Sequence, residues 1–268
     1  MNNEAVESSA PLNRAYTDAE WRAAWEYSPR LSRLERQLMS SARHDCQESV
    51  YRAAYFAAGM LHDEGFSLLH NGGTPLLRRH RDQWIDEVLF RSPLTGVSGH
   101  YSPVSVEILV SLRTLCDVRA QYSRSVIQTS PFVASANLGE LELPSCHILW
   151  NVEHPPAVEQ IATRLRHDGL NWLEILADPV GIEDRVIARS LPLVDDVTGL
   201  EMVLAVGGKW SAKRVMDAWL EDPTMSRRIG QARTRLSRTF GPVYRSDDAD
   251  MNLAIIGVRL DLFPRVPR

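Results

Sequence analysis

The sequence predicts a mainly α protein: a helical bundle in the N-terminal half, a helical C-terminal half bearing a helix-turn-helix-like basic hairpin, and a few short strands. Three observations lead there. Apolar residues recur at three- and four-residue spacing through most of the 268 residues. Helix-opening signatures are frequent, among them Thr17-Asp18-Ala19-Glu20, Thr74-Pro75 and Asp222-Pro223. Two-residue alternation is confined to brief stretches such as Leu138–Leu143.

Residues 1–13 are polar and read as a flexible tail. A helical domain is expected over 14–125. Thr17 and Glu20 form a capping box, and Trp21 and Trp25 follow one turn apart. Ser28-Pro29 closes that helix and opens one with Leu31, Leu34 and Leu38 as its stripe. A third helix runs from about Cys46 to Leu61 and buries Val50, Ala54, Ala57 and Leu61. After the turn at Asn71-Gly72-Gly73, Thr74-Pro75 opens a helix with Leu77, Trp84 and Val88 inward and Arg78, Arg79, Arg81 and Asp82 outward. A Gly/Ser/Pro-rich loop covers 92–102, and Pro103 starts a helix carrying Val106, Leu109, Val110, Leu112 and Cys116.

Residues 126–156 lose helical periodicity and read as an irregular connector with short strands at Leu138–Leu143 and His147–Val152. The second helical domain is expected over 157–268. A helix with Val158, Ile161, Ala162 and Leu165 ends at Gly169, and short helices follow at 171–177 and 179–190. Met202–Val206 is a strand or a buried helix start, and Leu253–Leu260 is a strand. Trp172-Leu173-Glu174 with Asp178-Pro179, and Trp219-Leu220-Glu221 with Asp222-Pro223, suggest two similar helical hairpins.

Composition excludes several classes. Hydrophobic content of 44% and charged content of 24% are those of an ordinary globular chain. The apolar runs Ala53–Ala58 and Met202–Val206 are too short to span a bilayer, and no signal or transit peptide is expected. Three scattered cysteines, Cys46, Cys116 and Cys146, argue against a disulfide framework, so a cytoplasmic location is expected. No Cys-x-x-Cys, Gly-x-Ser-x-Gly, His-Glu-x-x-His or Rossmann fingerprint is present, and no cofactor is expected. Gly207-Gly208-Lys209 fails as a phosphate loop, because Val203 replaces the first glycine and Trp210 the hydroxyl residue; a plain glycine turn fits better.

Charge is unevenly spread. The chain carries a net −4, yet from Lys209 to Arg245 nine Lys/Arg face only Asp217, Glu221 and Asp222, a local +6. Ser211 caps a helix through Leu220 with Val215, Met216 and Trp219 buried. Asp222-Pro223 then opens helix 224–240, with Met225, Ile229, Ala232, Leu236 and Phe240 on one side and Arg227, Arg228, Gln231, Arg235 and Arg238 on the other. Such a hairpin can present a basic helix to a polyanion, or stand as a solvated face paired with acids such as Asp195, Asp196 or Asp217.

Thr224-Met225-Ser226-Arg227-Arg228-Ile229, with Ala232-Arg233-Thr234-Arg235-Leu236-Ser237-Arg238, resembles the recognition helix of sigma-factor region four. The resemblance covers about residues 211–240 and implies DNA contact by Arg227, Arg228 and Arg235, with Ile229 and Leu236 in the core. Glu221-Asp222-Pro223 replaces the glycine-containing turn of that family. The leading expectation is a non-enzymatic, DNA-binding regulatory protein, with Lys209, Lys213, Arg214 and Arg238 adding contacts and a homodimer enlarging the footprint.

Two alternatives stand beside it. His44-Asp45, His62-Asp63 and His167-Asp168 resemble the HD phosphohydrolases, which implies metal ligation by His44, His62, Asp63 and Asp117. Otherwise the arginine face docks an acidic protein partner, making the chain an adaptor or assembly component.

Overall fold

The computed structural model describes residues 46–71, 74–92, 103–122, 130–141, 148–239 and 246–264. The readings made of residues 1–45, of Leu143, His147, Phe240 and Arg245, and of most of the 92–102 loop lie outside them. The chain is a mixture of α and β, which corrects the expectation of a mainly α, all-helical bundle. An antiparallel sheet occupies the centre.

Helix α1 spans Cys46–Met60 and buries Val50, Ala53, Ala54 and Ala57, as its spacing predicts. It packs on a meander of β1 (Ser67–Asn71), β2 (Thr74–Arg81), β3 (Trp84–Arg91), β4 (Pro103–Leu112) and β5 (Phe132–Asn137). Neighbours in sequence are neighbours in the sheet, and the two-residue strand β6 (Trp150–Asn151) pairs with the start of β4.

The predicted helices at Thr74-Pro75 and Pro103 are therefore strands, and the reason lies on the inner face of the sheet. On β4, Val104, Val106, Ile108, Val110 and Leu112 all point inward. The register carries that face to Trp84, Asp86, Val88 and Phe90 on β3, and to Leu77, Arg79 and Arg81 on β2. Charged residues at inward positions hid the alternation, and Ile108-Leu109-Val110 blurred it further. Arg79, expected outside, is buried against Asp86, which it faces directly across the strands. The outer face is mixed, with cross-strand pairs such as Arg78–Glu87 at 2.5 Å. The strand expected at Leu138–Leu143 lies instead at β5, with a turn over 138–141.

After β4 comes the short helix α2 (Leu115–Ala120). Helix α3 (Pro155–Arg164) passes through a π turn at Leu165–Gly169 into α4 (Leu170–Leu176), so Gly169 continues the helix and does not end it. A Cβ at Gly169 would meet Ile108 Cδ1 at 2.9 Å, so the missing side chain lets this helix sit against β4. Next come α5 (Ile182–Ile187), the long α6 (Asp196–Glu221), α7 (Pro223–Ser237) and α8 (Ala249–Arg259). Met202–Val206 lies inside α6. Leu253–Leu260 is not a strand: Asn252–Gly257 are buried on every side of α8, so no helical stripe was left to read.

Candidate functional site

The basic hairpin, the second arm of α6 followed by α7, is set off from the rest of α6 by one glycine. Gly208 adopts φ 73° and ψ −173°, outside the helical region, and breaks α6 into two arms. In a straight helix residues 199 and 219 would stand ~30 Å apart. Here both reach Val186 of α5: a Cβ on Gly199 would lie 3.3 Å from its Cγ2, and Trp219 Nε1 donates to its carbonyl at 3.2 Å. The glycine turn expected at Gly207-Gly208 is thus a sharp bend inside α6, and Ser211 does not begin a helix.

The last three helices, α6, α7 and α8, are each capped by an aspartate. Asp195 accepts from Thr198 N–H at 2.8 Å to start α6. Asp222 accepts from Thr224 N–H at 2.7 Å to start α7, with Pro223 in the first turn, as the sequence indicates. Asp248 accepts from Met251 N–H at 3.1 Å to start α8. Met225, Ile229 and Ala232 are buried, and Leu236 packs partly against the core.

Five of the seven cations nominated from sequence are engaged by acids. Arg228 pairs with Asp250 at 2.7 Å and Arg235 with Asp248 at 3.0 Å, both acids lying at the start of α8. The hydrogen bond that Arg228 donates to Asp250, opposed by burial, raises the Arg228 pKa. The Met251 N–H, and then the Arg235 charge, hold the Asp248 carboxyl below its ordinary value, against a desolvation penalty. On α6, Arg214 pairs with Glu183 at 3.0 Å and lies 5.3 Å from the Trp210 ring centre. Lys213 pairs with Asp217 at 3.3 Å, and Lys209 lies 3.5 Å from Asp261.

Arg227 and Arg238 have no ion-pair partner among the described residues. With Gln231 and Thr234 they stand at i, i+4, i+7 and i+11, all exposed, diametrically opposite the buried stripe. Arg233 lies to one side, its guanidinium 4.0 Å from the centre of the Phe263 ring. The outward face of α7 is therefore Arg227, Gln231, Thr234 and Arg238, and the arginines the sequence placed with them are turned to α8. The acids Asp248 and Asp250 went unseen because the helix they open was read as a strand. The run Ser246-Asp247-Asp248-Ala249-Asp250, a cap with acidic first turn, was the signal available.

His62 and Asp63 lie exposed on a 3₁₀ turn, Asp117 is exposed on α2, and His44 lies outside the described residues. Among the described residues no group of three His, Cys, Asp or Glu is arranged to hold a metal ion. No described helix is long and apolar enough to cross a membrane.

Buried polar ties escaped the sequence altogether. Glu201 of α6, fully buried, accepts from Arg119 Nε at 2.8 Å and Nη2 at 2.6 Å, and from the Tyr122 hydroxyl. Arg119 Nη1 also donates to the Ser130 and Phe132 carbonyls at 2.5 and 2.9 Å. Asp86 accepts from Arg79 and Arg81, which reach on to Glu174 of α4. Ser49 donates to Glu153 at 2.5 Å. These groups fasten the helices to the sheet. No family model, curated protein or solved structure matches this chain.

Proposed function

We propose that this protein is a binding module that docks an acidic segment of a protein partner on the outward face of α7. The observation that carries this reading is the contrast along one helix: Arg227 and Arg238 are exposed and have no ion-pair partner among the described residues, while Arg228 and Arg235 are neutralised by Asp250 and Asp248. These two cations are thus separate points on one face of α7, rimmed by carboxylates. Duplex DNA presents a phosphate charge about every 1.7 Å of axis and would bring the rim acids against neighbouring phosphates. A peptide with discrete Asp or Glu side chains can meet Arg227 and Arg238 and leave the rim in water. Two of the three arginines for which the sigma-factor resemblance implied DNA contact are the neutralised ones.

The test is fluorescence anisotropy of the full chain with two labelled probes, a Glu/Leu-rich helical peptide and a random-sequence duplex DNA, titrated across salt. The peptide should bind, and Arg227→Glu/Arg238→Glu should abolish its binding. Tighter binding to the duplex with a steep negative salt slope would replace this reading by the nucleic-acid one. Failure to bind either probe would remove α7 as a charge-directed docking face.

A further inference from the structure

A second surface is independent of α7. Where α6 bends at Gly208, it leaves a cleft of about 480 Å³ between the bend, α2 and the end of α8. That is within the ~300–1,000 Å³ typical of small-molecule sites. Val118, Leu204 and Leu260 supply an apolar lining. Val118 and Leu204 are buried, on the same two helices that Arg119 and Glu201 lock together, so this side of the cleft is held by the buried ion pair.

The polar lining is Gln121, Lys209, Arg259 and Asp261. Lys209 shares Asp261 at 3.5 Å, a long ion pair. Arg259 is exposed and has no ion-pair partner among the described residues. Among the described lining residues two cations stand against one carboxylate, a surplus of one positive charge. Asp261 itself stands at φ 51°, a left-handed conformation uncommon for a residue other than glycine, at the turn that closes α8. Gly208, also left-handed, lines the same cleft.

We infer that this cleft binds a small organic monoanion, a carboxylate on a short apolar body. The carboxylate meets Arg259 with its planar fork of donors and Lys209 beside it. The body covers Val118, Leu204 and Leu260, and the exposed Gln121 amide of the lining supplies a neutral donor and acceptor. The surplus of a single charge selects against dianions such as inorganic phosphate, which would press a second negative charge toward Asp261.

The experiment is isothermal titration of the full chain with hexanoate and with benzoate, against hexanol and inorganic phosphate. Both carboxylates should bind saturably, hexanol and phosphate far more weakly. Arg259→Gln should weaken carboxylate binding at least about tenfold, while Arg259→Lys retains most of it. Gln121→Trp, which places an indole in the cleft lining at an exposed position, should abolish binding and leave the thermal melt unchanged. The assignment is overturned if neither carboxylate binds saturably. It is equally overturned if phosphate binds as well as hexanoate, or if binding survives Gln121→Trp, because a cationic surface without a cavity would explain either.

Discussion

Arg119 and Glu201 stand 82 positions apart in the sequence, yet Arg119 Nη2 lies 2.6 Å from Glu201 Oε2, with both side chains almost wholly removed from water. This pair joins α2, the short helix between β4 and β5, to the first arm of α6. A buried carboxylate with a bidentate guanidinium and a phenol is stable only as a set, since each partner removed leaves desolvated charge behind. Arg119→Met should therefore destabilise the protein by about 3–5 kcal/mol. The double variant Arg119→Met/Glu201→Met should be less destabilised than Arg119→Met alone. Urea unfolding followed by tryptophan fluorescence measures both, and simple additivity would remove the set from the account.

Two glycines of the helical half should respond oppositely to alanine. A Cβ on Gly257 of α8 would lie 2.5 Å from the Phe263 ring, so Gly257→Ala should cost about 1–3 kcal/mol by overpacking. Phe263→Leu in the same chain should recover part of it. A Cβ on Gly230 of α7 would meet nothing within 4 Å, so Gly230→Ala should stabilise by about 0.5–1 kcal/mol through helix propensity alone. Thermal melts of the single variants separate the cases.

Asp248 should mark the acid limb of stability. Its folded pKa is depressed below the ordinary 3.8, first by the Met251 N–H it caps and then by Arg235. The sign follows: the unfolded chain takes up its proton first as pH falls. The contribution of Asp248 is present above the unfolded value and lost as pH drops through the lower folded one. Asp248→Asn, which keeps a capping oxygen without the charge, should lower stability at pH 7, flatten the stability–pH slope below about pH 4 and converge with the unsubstituted protein at the acid end. An unchanged slope in urea titrations at several acid pH values would count against the assignment.

The arginines of α7 should separate into two groups by phenotype. Arg228→Ala and Arg235→Ala remove partly exposed ion pairs and should lower stability by about 0–1 kcal/mol each, without affecting peptide docking. Arg227→Ala and Arg238→Ala should leave stability unchanged and weaken docking, with a smaller salt dependence. Anisotropy and urea unfolding on the same four variants provide the comparison, and a docking loss confined to Arg228 and Arg235 would reverse the face.

Much of the helical half was readable because its signals are local. The cap at Asp222, the proline after it and the stripe Met225–Ile229–Ala232 act within four residues of one another. The alanine-rich face of α1 is of the same kind. The sheet was not readable. Its inner positions hold Arg79, Arg81 and Asp86, which only the pairing of β2 with β3 and the approach of Glu174 make tolerable inside. Helix α8 was misread for a related reason: buried all round, it shows an unbroken apolar run, which periodicity alone does not distinguish from a strand.

The sequence by itself determined where α1 and α7 form, which sides they bury and that a glycine turn stands before Trp210. Only the tertiary structure decided that Gly208 folds α6 around Val186, that the centre is an antiparallel sheet, and which arginines remain free. The physical reason is range. Helix caps and stripes are contacts between residues a turn apart, written consecutively in the chain. The state of a charge depends on what distant segments bring within about 4 Å of it: Asp250 and Asp248 of α8 neutralise Arg228 and Arg235, and nothing neutralises Arg227 or Arg238 among the described residues.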